Sequence, residues 1–356
     1  MSRMGVTTTL KRGSLVSINE NVKDILIPSE ERDIEMYPMD FEEFLWATGR
    51  PTLMDSIRSA FKSGEKMGPL HETAMDSFRQ YLVIGGMPQA VARYVESYDF
   101  KAVDRQKRDL LRLYRKGIRK HAKRYALRVE RIYDEIPGQL SRHEKHFNFS
   151  SLGDSARYRE YENAFLWLAD AMVVNVAWNV SDPNVGFRLN VDDSLMKCYF
   201  LDTGLLVSHS FDEGEMVAQN IHNRILTGDI ELNEGMLVEN VVAQMFAASG
   251  RKLYFYSRRS REDGRERMEI DFVLSRSKLD VAHNVFPIEV KSGRDFNSHA
   301  ALDNMMNKGG FGIPSAWVLS KSGDVMSNGG ITNMPIYFTM FLDSGAPSKP
   351  LIYRVE

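Results

Sequence analysis

Cysteine is almost absent from this chain, with Cys198 alone among 356 residues. An internal disulfide is therefore excluded, and so is a zinc site built on clustered thiolates. The eight histidines form neither H-E-x-x-H nor H-x-E, the spacings that would set metal ligands and an acid on one face, so zinc is not expected. Charge of one sign is lacking too. With 46 Lys or Arg against 48 Asp or Glu the formal net charge is −2, so attraction to nucleic acid has to come from local patches. No stretch approaches the roughly 20 apolar residues of a membrane span, and residues 1–12 lack the apolar run of a signal peptide; a cytoplasmic protein without a membrane partner is expected. No G-x-x-x-x-G-K-[ST] run occurs. Its nearest imitators, Gly64-Glu65-Lys66 and Lys291-Ser292-Gly293, have the wrong spacing, so no row of backbone N–H groups with a lysine is available to cradle a triphosphate, and ATP is not expected as a ligand.

What is present is ordinary globular usage, 43% hydrophobic and 26% charged, at a length that predicts two or three domains. Helices are predicted over residues 40–47, where Asp40 and Glu43 have capping-box spacing, then 51–63, 74–83 and 88–96, with Gly85-Gly86 as a break. From 100 to 133 apolar residues recur at spacings near 3.6, which predicts one long helix of about 47 Å over residues 101–131. Its other face is basic, with 13 Lys or Arg against 3 Asp or Glu in residues 101–131. Arg115, Lys116, Arg119 and Lys120 are candidate phosphate contacts, against the blander reading of a solvated face. Residues 131–190 read as a winged helix-turn-helix: helices at 132–140 and 156–169, then a hairpin of 172–180 and 187–191 around Ser181-Asp182-Pro183-Asn184 as the wing. Arg157 and Arg159 start the second helix and are candidate DNA contacts. Cys198 sits in Met196-Lys197-Cys198-Tyr199-Phe200, a buried strand in which it packs as a small residue.

The C-terminal part carries the chemistry. A helix at 238–248 bears Glu239; strands are predicted at 252–257, 269–275 and 286–291, a charged loop at 258–267, a second helix at 298–307 and a strand at 315–320. Alternation puts Glu289 and Lys291 on one side of their strand, where Asp271 on the preceding strand can reach. Two carboxylates at adjacent strand ends are suited to hold Mg²⁺, which polarises a phosphodiester and lowers the pKa of a bound water, with Lys291 to orient that water or offset charge. A solvated strand edge explains Glu-x-Lys equally simply if it is taken alone.

In this order the sequence resembles the prokaryotic AAA+ ATPases whose C-terminal half is a domain of unknown function with a restriction-endonuclease-like, PD-(D/E)XK fold. The matching words are Leu232-Asn233-Glu234-Gly235-Met236-Leu237-Val238-Glu239-Asn240, Glu269-Ile270-Asp271-Phe272 and Ile288-Glu289-Val290-Lys291-Ser292-Gly293. Upstream lie Tyr37-Pro38-Met39-Asp40-Phe41, Gly85-Gly86-Met87-Pro88, Ile136-Pro137-Gly138-Gln139-Leu140, Ala156-Arg157-Tyr158-Arg159-Glu160-Tyr161 and Tyr199-Phe200-Leu201-Asp202-Thr203-Gly204. The resemblance implies an α/β multi-domain chain: residues 1–99 a remnant of the ATPase with its helical lid, 100–210 the basic helix and winged helix, 211–356 a nuclease-like αβββαβ domain. Against that pattern the phosphate loop is missing, so the chain reads as N-terminally truncated, with 1–15 matching the last ATPase strand and turn. The lid without its core is expected to leave Phe41, Phe44 and Trp46 with an exposed face. Gly117 stands where the family has an acidic residue.

Three functions compete. One is a Mg²⁺-dependent DNA-cleaving enzyme, with Asp271 and Glu289 as metal ligands, Lys291 activating water and Glu239 completing the acidic shell. Another is a DNA-binding or regulatory protein that keeps the nuclease fold without turnover. The last is an ATP-binding machine like the full-length family. DNA is the expected partner, with a homo-oligomer or a separate ATPase subunit as further ones.

Overall fold

The computed structural model describes residues 35–142, 145–153, 156–183, 186–211, 215–229, 234–258, 268–275, 285–293 and 299–342. The ATPase strand and turn expected at 1–15, the charged loop at 259–267 and the turn residue Asn184 lie outside the described residues. The described residues form a mixed α/β fold with two sheets.

Among the described residues, helices α1 (Phe41–Ala47), α2 (Pro51–Ser63), α3 (Leu70–Ile84) and α4 (Pro88–Ser97) come first. The capping box closes α1: Asp40 Oδ1 accepts from Glu43 N at 2.8 Å and Glu43 Oε2 from Asp40 N at 3.1 Å. Contrary to expectation, Phe41 and Phe44 are fully buried. They meet Phe78 and Tyr81 of α3 with centroids 5.2 Å apart in each pair, so α3 covers the face expected to be bare. Only Trp46 stays half exposed.

The long basic helix is two helices. α5 (Phe100–His121) is about 33 Å long and stops before Lys123, whose φ is +46°; α6 (Ala126–Leu140) turns back along it. The register Arg115–Asp134 and Arg119–Glu130, each at 2.6 Å, is that of an antiparallel helical hairpin. Pro137 inside α6 has no N–H to give the Tyr133 carbonyl four residues back. His209 Nε2, 3.0 Å from that oxygen, takes its place.

α7 (Tyr158–Asp170) precedes the hairpin of β1 (Val174–Val180) and β2 (Val191–Phe200). The second strand thus lies later than predicted; Phe187–Leu189 is a 3-10 turn. Nor does the hairpin stand free as a wing. β1 pairs in parallel with β3 (Leu253–Arg258), Ala177 opposite Leu253. Helices α8 (Thr203–Ser210), α9 (Glu215–Thr227) and α10 (Glu234–Ala248) intervene between β2 and β3. After β3 come β4 (Met268–Ile270), β5 (Phe272–Ser275), β6 (Val285–Val290), α11 (Ala300–Asn307), β7 (Ala316–Ser320), β8 (Met326–Asn328) and β9 (Ile331–Pro335). One sheet runs β2-β1-β3-β4 and the other β5-β6-β7-β9-β8. Between β4 and β5 lies only Asp271, so one extended segment changes sheets at that residue.

Three of the upstream words of the resemblance, those holding Met39, Gly86 and Asp202, meet at one buried junction. Asp202 accepts from Gly86 N at 2.5 Å and Leu205 N at 2.8 Å. Gln244 of α10 accepts from Thr203 N and donates to the Tyr81 hydroxyl, at 2.8 and 2.9 Å, while Tyr81 donates to the Met39 carbonyl at 2.6 Å. Backbones touch here: a Cβ on Gly204 would lie 2.4 Å from the Ile84 oxygen and one on Gly86 2.1 Å from the Met39 oxygen. Glycine is required because no side chain fits.

Candidate functional site

The sheet change at Asp271 builds the site. β5 and β6 are antiparallel with Phe272 opposite Ile288, which carries Asp271 opposite Glu289 at the sheet edge. Val290 N donates to Asp271 Oδ2 at 2.9 Å and pins that carboxylate. Helix α10 lowers Glu239, 3% exposed, onto the same place. Glu239 and Asp271 thus come together, Glu289 lies near Asp271, and Lys291 is in contact with Glu289.

Between Glu239 and Asp271 lies a residue the sequence reading passed over. Lys197 of β2 is 1% exposed, and its Nζ is 3.1 Å from Glu239 Oε1, 3.4 Å from Asp271 Oδ1 and 3.8 Å from Glu269 Oε1. The Phe255 ring, 5.3 Å away, covers it. Strand alternation sends Tyr199 the same way, and its hydroxyl donates to Glu239 Oε1. Lys145 Nζ takes the other oxygen of Glu239 at 2.5 Å. Glu269 also lies 3.7 Å from His146 Nε2. One signal was available: a lysine inside the apolar run Met196 to Phe200 has to meet polar partners or leave the core.

Charge follows contact. Burial would strip the proton from Lys197, but Glu239, Asp271 and Glu269 together hold its pKa above the ordinary value. Burial likewise opposes the Glu239 charge, and Lys197 and Lys145 overcome it, bringing that carboxyl down to about 2. Asp271 goes the other way: burial and the neighbouring Glu239 raise it against the pull of Lys197. Burial pushes Glu289 up to about 7 although Lys291 is in contact with it.

These facts test whether Mg²⁺ fits. Among the described residues Glu289 Oε2 is buried without a hydrogen-bond partner, and it suits a cation. Asp271 does not: Val290 N holds one oxygen and the Lys197 ammonium stands 3.4 Å from the other. A divalent ion on that oxygen would face a buried cation with no solvent to retreat into. Among the described residues no group of three or more His, Cys, Asp or Glu converges as a metal site. The donor set does not fit a metal shared by Asp271 and Glu289.

The expected DNA contacts divide. Arg115 and Arg119 are ion-paired to α6, and Arg115 also lies over the Tyr133 ring at 5.2 Å. Lys116 and Lys120 are exposed on α5. Arg157 is exposed at the position just before α7 and makes no side-chain capping bond, and Arg159 is exposed in the first turn beside Glu160. Arg128 donates to the Glu160 carbonyl at 2.7 Å and so ties α6 to α7.

Residues 75–214 match a family described as a domain of unknown function (DUF8612), and residues 234–338 match another (DUF4143), a domain often found in AAA-like ATPases. The first of these crosses the domain boundary expected at residue 99. No curated protein and no solved structure matches the chain. Among the described residues no helix is long and apolar enough to cross a membrane.

Proposed function

We propose that this chain is a DNA-associated protein whose C-terminal α/β region keeps a nuclease-like fold without hydrolysing phosphodiesters. The order α10, β3, β4/β5, β6, α11, β7 supports the nuclease-like part, with Asp271 and Glu289-x-Lys291 at adjoining strand ends. Helices α6 and α7 followed by the β1–β2 hairpin support a winged helix absorbed into a sheet. Exposed Lys116 and Lys120 support DNA contact. The absence of turnover is carried by Lys197, a buried ammonium seated among Glu239, Asp271 and Glu269, against the Asp271 oxygen that a shared metal would need.

Melting of the full chain with and without Mg²⁺ or Mn²⁺, alongside nicking of supercoiled plasmid, tests this. No rise in melting temperature and no nicking are expected, since a ligand stabilises only if it binds the folded state. Metal-dependent nicking that disappears in Asp271→Asn would overturn the reading. It would favour the competing one, hydrolysis at this cluster, for which the partnerless Glu289 Oε2 speaks.

A further inference from the structure

At the opposite end of β5 from Asp271 lies a groove of about 360 Å³, lined by Phe187, Arg251, Lys252, Tyr254, Leu274 and Ser275 among others. Its size falls low in the range of small-ligand sites. Tyr254 and Phe187 meet edge to face, with centroids 5.2 Å apart, so a half-buried aromatic ring forms part of the wall. Charge there has one sign: Arg251 and Lys252 line the groove, Arg188 lies near enough to act on the Tyr254 hydroxyl, and none of the described lining residues is acidic. Ser275 is four residues beyond Asp271, about 13 Å along the strand, so this groove is separate from the carboxylate cluster.

An aromatic platform with cations at its rim takes a flat ring joined to an anion, which is the chemistry of a nucleotide. A duplex keeps its base faces inside the stack and cannot offer them. We infer that the groove between Tyr254, Phe187 and Lys252 binds single-stranded nucleic acid, stacking one base on Tyr254 and placing its phosphate against Lys252 and Arg188. The inference rests on the DNA-associated half of the proposed function and is independent of whether the carboxylate cluster hydrolyses anything.

Fluorescence anisotropy of the full chain with labelled oligo(dT) at low salt, with thymidine monophosphate and a duplex of equal length as competitors, reads it out. Tyr254→Ala should weaken oligo(dT) about tenfold, the scale of one lost base stack. Tyr254→Phe, which keeps the ring, should stay within about twofold of the unsubstituted chain. Lys252→Glu, at an exposed position, should weaken binding about fivefold and reduce its salt dependence by one phosphate contact. If Tyr254→Ala and Lys252→Glu bind like the unsubstituted chain while Lys116→Glu/Lys120→Glu does not, the groove is wrong and DNA association stands. If labelled duplex binds and oligo(dT) does not, the groove alone falls; if neither binds, both fall. If the mononucleotide binds as tightly as the oligomer and with the same sensitivity to Tyr254→Ala, the ligand is a free nucleotide and the strand is refuted; preference for duplex refutes it as well.

Discussion

Lys107 and Lys197 are both buried to 1% exposure or less, yet their proton affinities move in opposite directions. Lys107 of α5 gives its protons to two backbone oxygens, Val83 at 2.6 Å and Gly204 at 3.1 Å. Burial dominates there and brings its pKa down to about 8, although Asp104 and Asp202 pull the other way. Both aspartates are engaged elsewhere, Asp104 by Arg108 at 2.7 Å and Ser208 at 2.6 Å, Asp202 by the backbone of Gly86 and Leu205. Lys197 instead touches Glu239 and Asp271 directly, and its charge is held. A buried lysine is therefore as charged as its own contacts make it: carbonyl dipoles orient the group, whereas only adjacent carboxylates offset its desolvation. One lysine joins helices at the glycine junction, and the other keeps three acids together.

The largest test of that difference is Lys197→Met. It leaves Asp271 and Glu269 without their shared cation and should cost about 3–5 kcal/mol in urea unfolding, the range for breaking a buried pair on one side. The acid limb should change too. Because Glu239 is lowered to about 2 from 4.5, its stabilisation is complete above pH 4.5 and is lost as pH falls toward 2. Without Lys197 that carboxyl is lowered less, so the loss should be smaller and end at a higher pH. A cost under 1 kcal/mol would mean that the cluster is solvated and not internal.

Glu289 sharpens the contrast from the acid side, since its contact with Lys291 does not offset its burial. A carboxyl raised from 4.5 to about 7 favours the protonated form in the folded chain, so its stability contribution is complete below pH 4.5 and falls as pH rises to 7. Glu289→Gln should therefore stabilise the chain by about 2 kcal/mol at pH 8 and have little effect at pH 4. Equal effects at both pH values would show that Glu289 is ionised throughout.

Much of this site was legible because its words are local. Strand alternation and the Glu289-x-Lys291 spacing suffice to align the acids, and the αβββαβ order needs only hydrophobic pattern. Lys197, Tyr199 and Lys145 come from tens of residues upstream, and nothing in their immediate sequence says which carboxylate they meet. The helix break before Lys123 was not legible either, as His121-Ala122-Lys123-Arg124 has no glycine or proline and the left-handed turn there is imposed by the pairing of α5 on α6. β8 and β9 left a trace in Gly329-Gly330, both at positive φ, a dipeptide that fits a two-residue hairpin turn. The exposed residues of β8 gave no alternation to go with it.

Lys107→Met tests the other lysine, with a smaller effect expected. It removes a desolvated amine but orphans the Val83 and Gly204 carbonyls, so a net loss of about 1 kcal/mol is expected at pH 7. In the unsubstituted chain the lowered pKa means that stability rises as pH climbs from about 8 to 10.5, because the unfolded chain then holds more protons. The Met variant should lack that rise. If the rise persists, another group titrates in that window.

The smallest effect separates folding from binding on α5. Arg115 and Arg119 reach Asp134 and Glu130 across the hairpin, each from a side chain at least one-third exposed, and exposed pairs contribute about 1 kcal/mol or less. Arg115→Glu with Arg119→Glu should therefore lower stability by about 1 kcal/mol, with like charges now facing one another. Lys116→Glu with Lys120→Glu should leave the unfolding midpoint unchanged, because neither lysine holds the two helices together. On DNA the order should reverse: the Lys pair should weaken binding to every sequence alike and flatten its salt dependence by about two contacts. Paired unfolding and anisotropy measurements on the two double variants decide it. If both lower stability and leave affinity untouched, the basic face of α5 serves only the helical hairpin.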